Sequence, residues 1–184
     1  IENCKNNASI TGTYDVGGIL GSSEPSKALT IRGCANTGAV CATSTSKGNA
    51  GGIAGRIGDS GAATVLNCYN LGSVSSEAES GSNSAGLVGS GKNLTIKNCY
   101  TTGTVTGSWS AATFASSSGN VVLENVHALD GANTYFCRSS GVTSDNWYFS
   151  SEDEMKQADF AASLGSAFMK KENDYPILFW EVPT

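Results

Sequence analysis

From residue 1 to about residue 130, apolar positions recur in the same order and at a nearly constant spacing. One copy of this pattern contains Leu29-Thr30-Ile31, in which apolar and polar residues alternate, followed by Cys34 and then by Val40. Alternation with a period of two predicts a half-buried β-strand. No segment before residue 150 keeps the i, i+3, i+4, i+7 apolar spacing of an amphipathic helix for long. The pattern therefore predicts about three short strands in each copy and no helix in this part of the chain.

The copies align on a cysteine that recurs at nearly even intervals, at Cys4, Cys34, Cys68 and Cys99. Val126 takes its place in a fifth, degenerate copy. A glycine-rich block precedes the later copies, with its middle glycine at Gly18, Gly52 and Gly86. A period between roughly 20 and 50 residues is the signature of stacked repeats. We therefore predict an all-β fold, a right-handed parallel β-helix (solenoid) of about four to five coils over residues 1–150.

The repeated cysteine is predicted to point into the solenoid and to pack on its copies in adjacent coils. Stacked cysteines lie within the Cα range of a disulfide, but side chains that project side by side suit the required dihedral angle badly. Cys41 falls on an outward position, and Cys137 lies several coils away. We therefore expect most of the six cysteines to be free thiols. The glycine four residues after the cysteine, as at Gly72, is attributed to a bend that a Cβ would obstruct.

The C-terminal segment, residues 151–184, has a different character. Ser151 and Glu154 form a capping-box pattern, which predicts a helix over residues 152–164 that ends near Gly165. The segment "NDYPILFWEV" then predicts a strand. Because the ends of a solenoid expose its core, we expect this segment to cap the end of the fold. The apolar residues expected to form the cap are Met155, Phe160, Leu164, Phe168, Ile177, Phe179 and Trp180.

Composition and charge exclude several classes of partner. The 184 residues carry a formal net charge of −5 and no cluster of Lys or Arg, so we expect no nucleic-acid partner. No apolar run reaches the roughly 20 residues of a membrane helix, so we expect no membrane insertion. The first residues already belong to the repeat. We therefore expect the chain to be a segment of a longer protein, with other domains of that protein among its partners.

The repeated blocks resemble a known motif. "AGGIAG…NCYNLGSV" and "SAGLVG…NCYTTGTV" are similar to the GLUG motif, the Gly-Leu-x-Gly repeat of bacterial extracellular proteins, and the resemblance covers roughly residues 1–130. The motif occurs in large surface proteins of Gram-positive and gut bacteria, and beside some secreted IgA-specific metallopeptidases. The resemblance implies a β-helical region of an adhesin-like protein, secreted or attached to the cell wall. It implies no activity, because the motif is a scaffold.

The segment "GLVGSGKN", Gly86 to Asn93, nearly matches the phosphate-binding loop G-x-x-x-x-G-K-[ST]. Asn93 replaces the residue whose hydroxyl binds magnesium, and the segment leads into a strand instead of opening a helix. We therefore expect no nucleotide there.

The sequence lacks the residues that metal-dependent catalysis or a serine nucleophile would need. The chain has one histidine, His127, so it cannot contain an H-E-x-x-H zinc motif, and its cysteines lack C-x-x-C spacing. No G-x-S-x-G elbow accompanies His127. We expect no metal, no cofactor and no catalytic residues.

A carbohydrate-active enzyme, similar to the polysaccharide lyases built on β-helices, is the rival class. Such an enzyme needs clustered carboxylates, or Arg or Lys with Tyr, on one face. The acidic residues before residue 140 occupy different positions of the repeat, and Glu77 and Glu79 share one loop that is expected to be exposed. Solvated surface charges explain these residues better than an active site does.

A candidate ligand-binding surface lies one residue after the repeated cysteine. This position carries Lys5, Ala35, Tyr69, Tyr100 and His127 in successive copies. We predict that Tyr69, Tyr100 and His127 form an outward stack of rings near the loops that bear Trp109 and Tyr14. Aromatic platforms bind sugars through apolar ring faces. The alternative is that the stacked rings only stiffen adjacent coils.

Three functions remain open at this point. The first is a non-catalytic extracellular module that binds a surface glycan or protein of a host or of another microbe. The second is a structural spacer that carries another domain. The third is the carbohydrate-active enzyme. A binder should carry an apolar or aromatic patch on one face, a spacer should not, and an enzyme should have a cleft with paired carboxylates.

Overall fold

The structure, a computed structural model, describes residues 1–24, 27–58, 61–107, 111–116, 120–132, 137–138, 141–142 and 146–182. Within these residues the chain is nearly all β. Parallel strands stack into a solenoid of about four turns, which confirms the predicted fold class. No helix in these ranges is long and apolar enough to cross a membrane.

Each turn of the solenoid contributes short strands to four faces, so a complete coil carries five strands instead of the predicted three. The glycine-rich block divides into two strands at a corner of the coil. The first coil contains β1 (Lys5–Asn6), β2 (Ile10–Gly12), β3 (Val16–Gly17) and β4 (Leu20–Ser23). The second contains β5 (Leu29–Arg32), β6 (Ala35–Asn36), β7 (Val40–Ala42), β8 (Ala50–Gly51) and β9 (Ala54–Ile57).

The later coils repeat this order. The third contains β10 (Ala63–Leu66), β11 (Tyr69–Asn70), β12 (Val74–Ser76), β13 (Ser84–Ala85) and β14 (Val88–Gly91). The fourth contains β15 (Leu94–Thr101), β16 (Val105–Gly107), β17 (Ala111–Ala112) and β18 (Ala115–Ser116). Four more strands follow, namely β19 (Asn120–Leu129), β20 (Cys137–Arg138), β21 (Gly141–Val142) and β22 (Asn146–Ser150).

The strand register matches the one predicted from the repeat. Val74 pairs with Val40 and Val105, and Val65 pairs with Ile31 and Ile96. Tyr69, Tyr100 and His127 occupy equivalent positions of neighbouring strands, and Tyr148 continues this row into β22. Equivalent residues of successive coils therefore form straight ladders along the solenoid.

Aliphatic ladders fill the solenoid interior. The buried residues include Ile31, Val65, Ile96 and Leu123 from one face, and Ile53, Leu87 and Phe114 from another. The repeated cysteines pack among them, and Cys34, Cys68 and Cys99 are fully buried. Cys4, at the first rung of the same ladder, is exposed. The structure holds Cys4, Cys34, Cys41, Cys68 and Cys99 as free thiols, which confirms the prediction for these five.

A ladder of side-chain amides, which was not predicted from the sequence, runs beside the aliphatic core. Asn6 donates from Nδ2 to Oδ1 of Asn36 at 2.7 Å, and Asn36 donates in the same way to Asn70 at 2.8 Å. Asn36 and Asn70 are fully buried. Their Nδ2 groups also donate to the carbonyls of Gly38 and Gly72. Each buried amide is thus paired, as burial of a polar group requires.

The repeated glycine after the cysteine is needed for close stacking. A Cβ built at Gly72 would lie 1.9 Å from the carbonyl oxygen of Gly38, and one at Gly103 would lie 1.9 Å from that of Gly72. Coils in register cannot separate locally to admit a methyl group. The bend proposed from the sequence is therefore a lesser reason for this glycine than the contact with the neighbouring coil.

The C-terminal segment folds as two short helices and a hairpin. Helix α1 spans Glu152–Met155 and α2 spans Ala158–Ser163, so the predicted single helix is interrupted at residues 156–157. The predicted capping box at Ser151 and Glu154 is confirmed. Strand β23 (Phe168–Lys171) pairs antiparallel with β24 (Asp174–Leu178), and a 3₁₀ turn covers Phe179–Glu181.

This segment, called the tail below, packs along the side of the solenoid, whereas the sequence led us to expect it at the end of the fold. It contacts Lys5, Ala35, Tyr69, Tyr100 and His127, which belong to five successive coils. Its buried residues include Met155, Phe160, Leu164 and Phe168, as predicted, whereas Phe179 and Trp180 are exposed. The outward rings of Tyr69, Tyr100 and His127 offer apolar surface on this side, and the apolar residues of the tail bury themselves there.

Candidate functional site: the aromatic ladder and its cover

Tyr69 and Tyr100 stack on each other, as predicted. Their ring centroids are 5.1 Å apart and their planes differ by 8°. Both residues are nonetheless fully buried, so the prediction of an exposed platform is wrong for them. Their rings lie outside the coil but beneath the tail, and a sugar cannot reach them.

Apolar residues of the tail enclose Tyr100 on several sides. Phe160 approaches edge-on, with centroids 5.8 Å apart, and Phe168 lies at 5.9 Å in a tilted orientation. Tyr175 completes this set at 6.5 Å. Aromatic pairs in such offset and edge-to-face arrangements add roughly 0.5–1.5 kcal/mol each beyond the area that they bury. The ladder therefore works as an internal packing surface.

Polar groups fix the position of the tail on the ladder. The hydroxyl of Tyr69 donates to both carboxylate oxygens of Glu181, at 2.8 and 3.0 Å. The carboxylate of Glu181 also pairs with Lys5 and accepts from the backbone N–H of Leu178 at 3.0 Å. The Glu181 side chain is only 5% exposed. The hydroxyl of Tyr100 donates to the carbonyl of Pro176.

The surroundings of both phenols raise their pKa values. Burial, then the neighbouring Glu181 carboxylate, raises the pKa of Tyr69 far above its ordinary value. Burial shifts the pKa of Tyr100 in the same direction. Neither tyrosine is suited to act as a general base, because a phenol with a raised pKa holds its proton. The sequence offers no nearby motif that would have identified Glu181 as their partner, since 112 residues separate it from Tyr69.

His127 lies at the next rung of the ladder and is also largely buried. Its ring stacks on Tyr148 with centroids 4.8 Å apart and meets the edge of Phe160 at 4.9 Å. Its Nε2 lies 3.0 Å from Oδ1 of Asn125. Burial lowers the pKa of His127 from 6.5 to about 4. The histidine is therefore a neutral packing residue near pH 7.

Acidification should destabilise the module through His127. The folded state holds this pKa below the unfolded value, so the unfolded chain binds the proton more readily and stability is lost as pH falls from about 6.5 towards 4. The expected loss is about 3 kcal/mol. Urea unfolding followed at pH 7 and pH 4 measures it. His127→Phe keeps a stacked ring without the titration and should remove this part of the pH slope. An unchanged slope in that variant would contradict the assignment.

The other residues proposed from the sequence do not join this site. Trp109 lies outside the described residues. Tyr14 is 64% exposed and lies on another side of the coil, against Asp15 and Lys47. Tyr148, which stacks on His127, and Tyr175, which covers Tyr100, were not proposed. Of the predicted ring stack, Tyr69 and Tyr100 stack on each other, and His127 occupies the next rung, where it stacks on Tyr148.

Several of the described acidic residues pair with basic residues of neighbouring coils or turns. Glu2 pairs with Arg32, Glu24 with Arg56, and Glu124 with Lys97. Glu77 and Glu79 are exposed, as predicted. Among the described residues no group of three or more His, Cys, Asp or Glu side chains is arranged to hold a metal ion. The segment that resembles a phosphate-binding loop runs from β14 into β15, so it opens a strand, as predicted.

Comparison with known proteins identifies the fold and little more. No protein-family model matches the chain, and no curated protein matches it. A solved structure of a proposed immunoglobulin A1 protease from Bacteroides ovatus superposes with a TM-score of 0.64 at 21% sequence identity. The match covers 97% of this chain and 57% of that protein, so the chain spans little more than half the length of its structural neighbour. At this identity the likeness establishes a shared fold only.

Proposed function

We propose that the chain is a non-catalytic, rigid β-solenoid module of a longer extracellular bacterial surface protein. In this role it spaces or presents other parts of that protein. The observation that carries the proposal is the burial of the aromatic ladder, because the rings that the repeat aligns on one side of the coil bind the chain's own tail. The resemblance of the repeats to the GLUG motif supports the extracellular assignment.

Rigidity follows from how the tail is attached. It contacts five successive coils, and its two ends are far apart along the solenoid. Phe160 packs near His127 at one end, and Trp180 donates from Nε1 to the carbonyl of Gly33 at 2.9 Å at the other. A segment that bridges successive coils opposes bending and local separation of those coils. Repeat modules otherwise contact only their nearest neighbours.

The chemistry of the described surface supports a non-catalytic role. An enzyme of the polysaccharide-lyase or glycosidase type needs carboxylates close together, or a base beside a phenol with an accessible hydroxyl. Here Glu2, Glu24 and Glu124 each form a separate ion pair with a basic side chain. The hydroxyl of Tyr69 donates a hydrogen bond to Glu181, and the hydroxyl of Tyr100 donates one to the carbonyl of Pro176.

Two measurements test this proposal. Backbone order parameters from nuclear magnetic resonance should be near 0.85 in strands β6, β11 and β15 and also in α2 and β24, as expected for one rigid body. Values below about 0.6 in the tail would contradict rigidity. Incubation with immunoglobulin A1, the substrate named for the structural neighbour, should leave that protein intact. Its specific cleavage would contradict the non-catalytic assignment.

A further inference from the structure

Two exposed aromatic residues border a cavity where the tail ends on the solenoid. Phe179 is 67% exposed and Trp180 is 39% exposed. They line a cavity of about 400 Å³ together with Ala167 and Leu178 of the tail. Trp180 donates from Nε1 to the carbonyl of Gly33 at 2.9 Å, so its ring is held in one orientation before any ligand arrives. Preorganised rings of this kind lower the entropy cost of binding.

The rest of the cavity lining is polar and comes from residues just before the repeated cysteines. It contains the paired Arg32 and Glu2 side chains, about half exposed, and the amides of Asn3 and Asn67. The Oδ1 atom of Asn67 has no hydrogen-bond partner in the described structure. This oxygen is buried, and Asn67 itself lines the cavity. A donor supplied there would offset the cost of leaving a polar atom unpaired.

One rung of the ladder that borders the cavity lacks a side chain. The equivalent turns all have positive φ between 48° and 60°, and they carry Asn3, Gly33, Asn67, Asn98 and Asn125. Asn125 donates to Oδ1 of Asn98 at 2.9 Å, so neighbouring amides can pair along this ladder. At Gly33 no side chain stands between Asn3 and Asn67, and Gly33 lines the cavity beside Oδ1 of Asn3 and Nε1 of Trp180.

The combination of walls selects the chemistry of a ligand. Arg32 would attract an anion, but Glu2 already neutralises its charge. Glu2 would attract a cation, but Arg32 neutralises it in the same way. A purely apolar group would leave the amides and the ion pair desolvated without partners. An uncharged ring with hydroxyl groups on its edge and C–H groups on its face satisfies both walls.

We propose that this cavity, bounded by Phe179, Trp180, Arg32 and Asn67, binds one ring of a neutral saccharide. The ring face stacks on Phe179 or Trp180, and its hydroxyls exchange hydrogen bonds with the amides and the Arg32–Glu2 pair. The cavity is open on one side, so a single site binds weakly and depends on several copies acting together. This site is independent of the rigid-module proposal, which stands whether or not a sugar binds.

The test is an array of neutral mono- and oligosaccharides probed with the module clustered on streptavidin. Wild type should give signals that Phe179→Ala reduces at least tenfold. Gly33→Asn should abolish them by filling the cavity. Asparagine tolerates this backbone conformation, as the other rungs demonstrate, and its Cβ would meet mainly the movable Oδ1 of Asn3, at 2.5 Å.

Tyr148→Ala is the matched control, because it removes an exposed ring on another part of the same side. It should leave the signals within twofold of wild type. Urea unfolding of each variant distinguishes loss of binding from loss of fold, and Gly33→Asn should remain folded. An array that stays silent with wild type, or signals that persist in both Phe179→Ala and Gly33→Asn, would overturn the saccharide site.

Discussion

Replacing Cys68 with aspartate should abolish folding of the module. The Cys68 side chain is fully buried between Cys34 and Cys99, and its Sγ accepts from the backbone N–H of Cys34 at 3.4 Å. Its neighbours in the core are apolar, and burial raises the pKa of the Cys68 thiol well above its ordinary value. The same environment opposes a carboxylate. An unpaired buried charge costs several kcal/mol, comparable with the roughly 5–15 kcal/mol that stabilise a typical domain.

The chain provides a matched control for this substitution at the first rung of the same ladder. Cys4 is exposed, so Cys4→Asp places the same charge in water. It should change the free energy of unfolding by no more than about 0.5 kcal/mol. Circular dichroism and urea unfolding of both variants measure the difference. A soluble Cys68→Asp protein that unfolds as cooperatively as Cys4→Asp would show that the inward register of the cysteine ladder is wrong.

Replacing Tyr100 with alanine should cost about 3–5 kcal/mol of stability, as for other large buried aromatics. The substitution removes the ring that contacts Tyr69, Phe160, Phe168 and Tyr175, and it leaves the carbonyl of Pro176 without its donor. It should also release the tail, because Tyr100 lies at the centre of the cluster that holds it. Urea unfolding measures the first effect, and faster proteolysis within residues 151–182 reports the second.

Two variants separate the causes. Tyr100→Phe keeps the ring and removes only the hydroxyl, so its cost should be about 1–3 kcal/mol, from the buried carbonyl that loses its partner. Tyr14→Ala removes an exposed tyrosine and should be nearly neutral. If Tyr100→Ala were as stable as Tyr14→Ala, the ring would not be buried under the tail.

The solenoid and its register could be predicted because identical positions of successive coils must stack. The cysteine and valine spacings alone place Val40, Val74 and Val105 in one ladder, as the structure shows. The buried amide ladder could have been found in the same way. Asn6, Asn36 and Asn70 recur two residues after the cysteine, and this recurrence is the signal of the ladder.

The covered state of the aromatic ladder could not be predicted from the repeat. The repeat shows that Tyr69 and Tyr100 point away from the coil, but an outward position is exposed only if no other segment covers it. The covering residues come from far along the chain, since 76 residues separate Tyr100 from Pro176. The apolar residues of the tail did indicate that a hydrophobic partner surface exists. They did not distinguish the end of the solenoid from its side.

The most direct test of the central claim is hydroxyl-radical footprinting of the native module, read by mass spectrometry. The claim is that the aromatic ladder is an internal docking surface for the tail. We expect rapid oxidation of Tyr14 and Phe179, which are exposed, and protection of Tyr69 and Tyr100, which are fully buried. Oxidation of Tyr69 and Tyr100 at the rate of Tyr14 would contradict the claim and would restore the ladder as an open ligand-binding face.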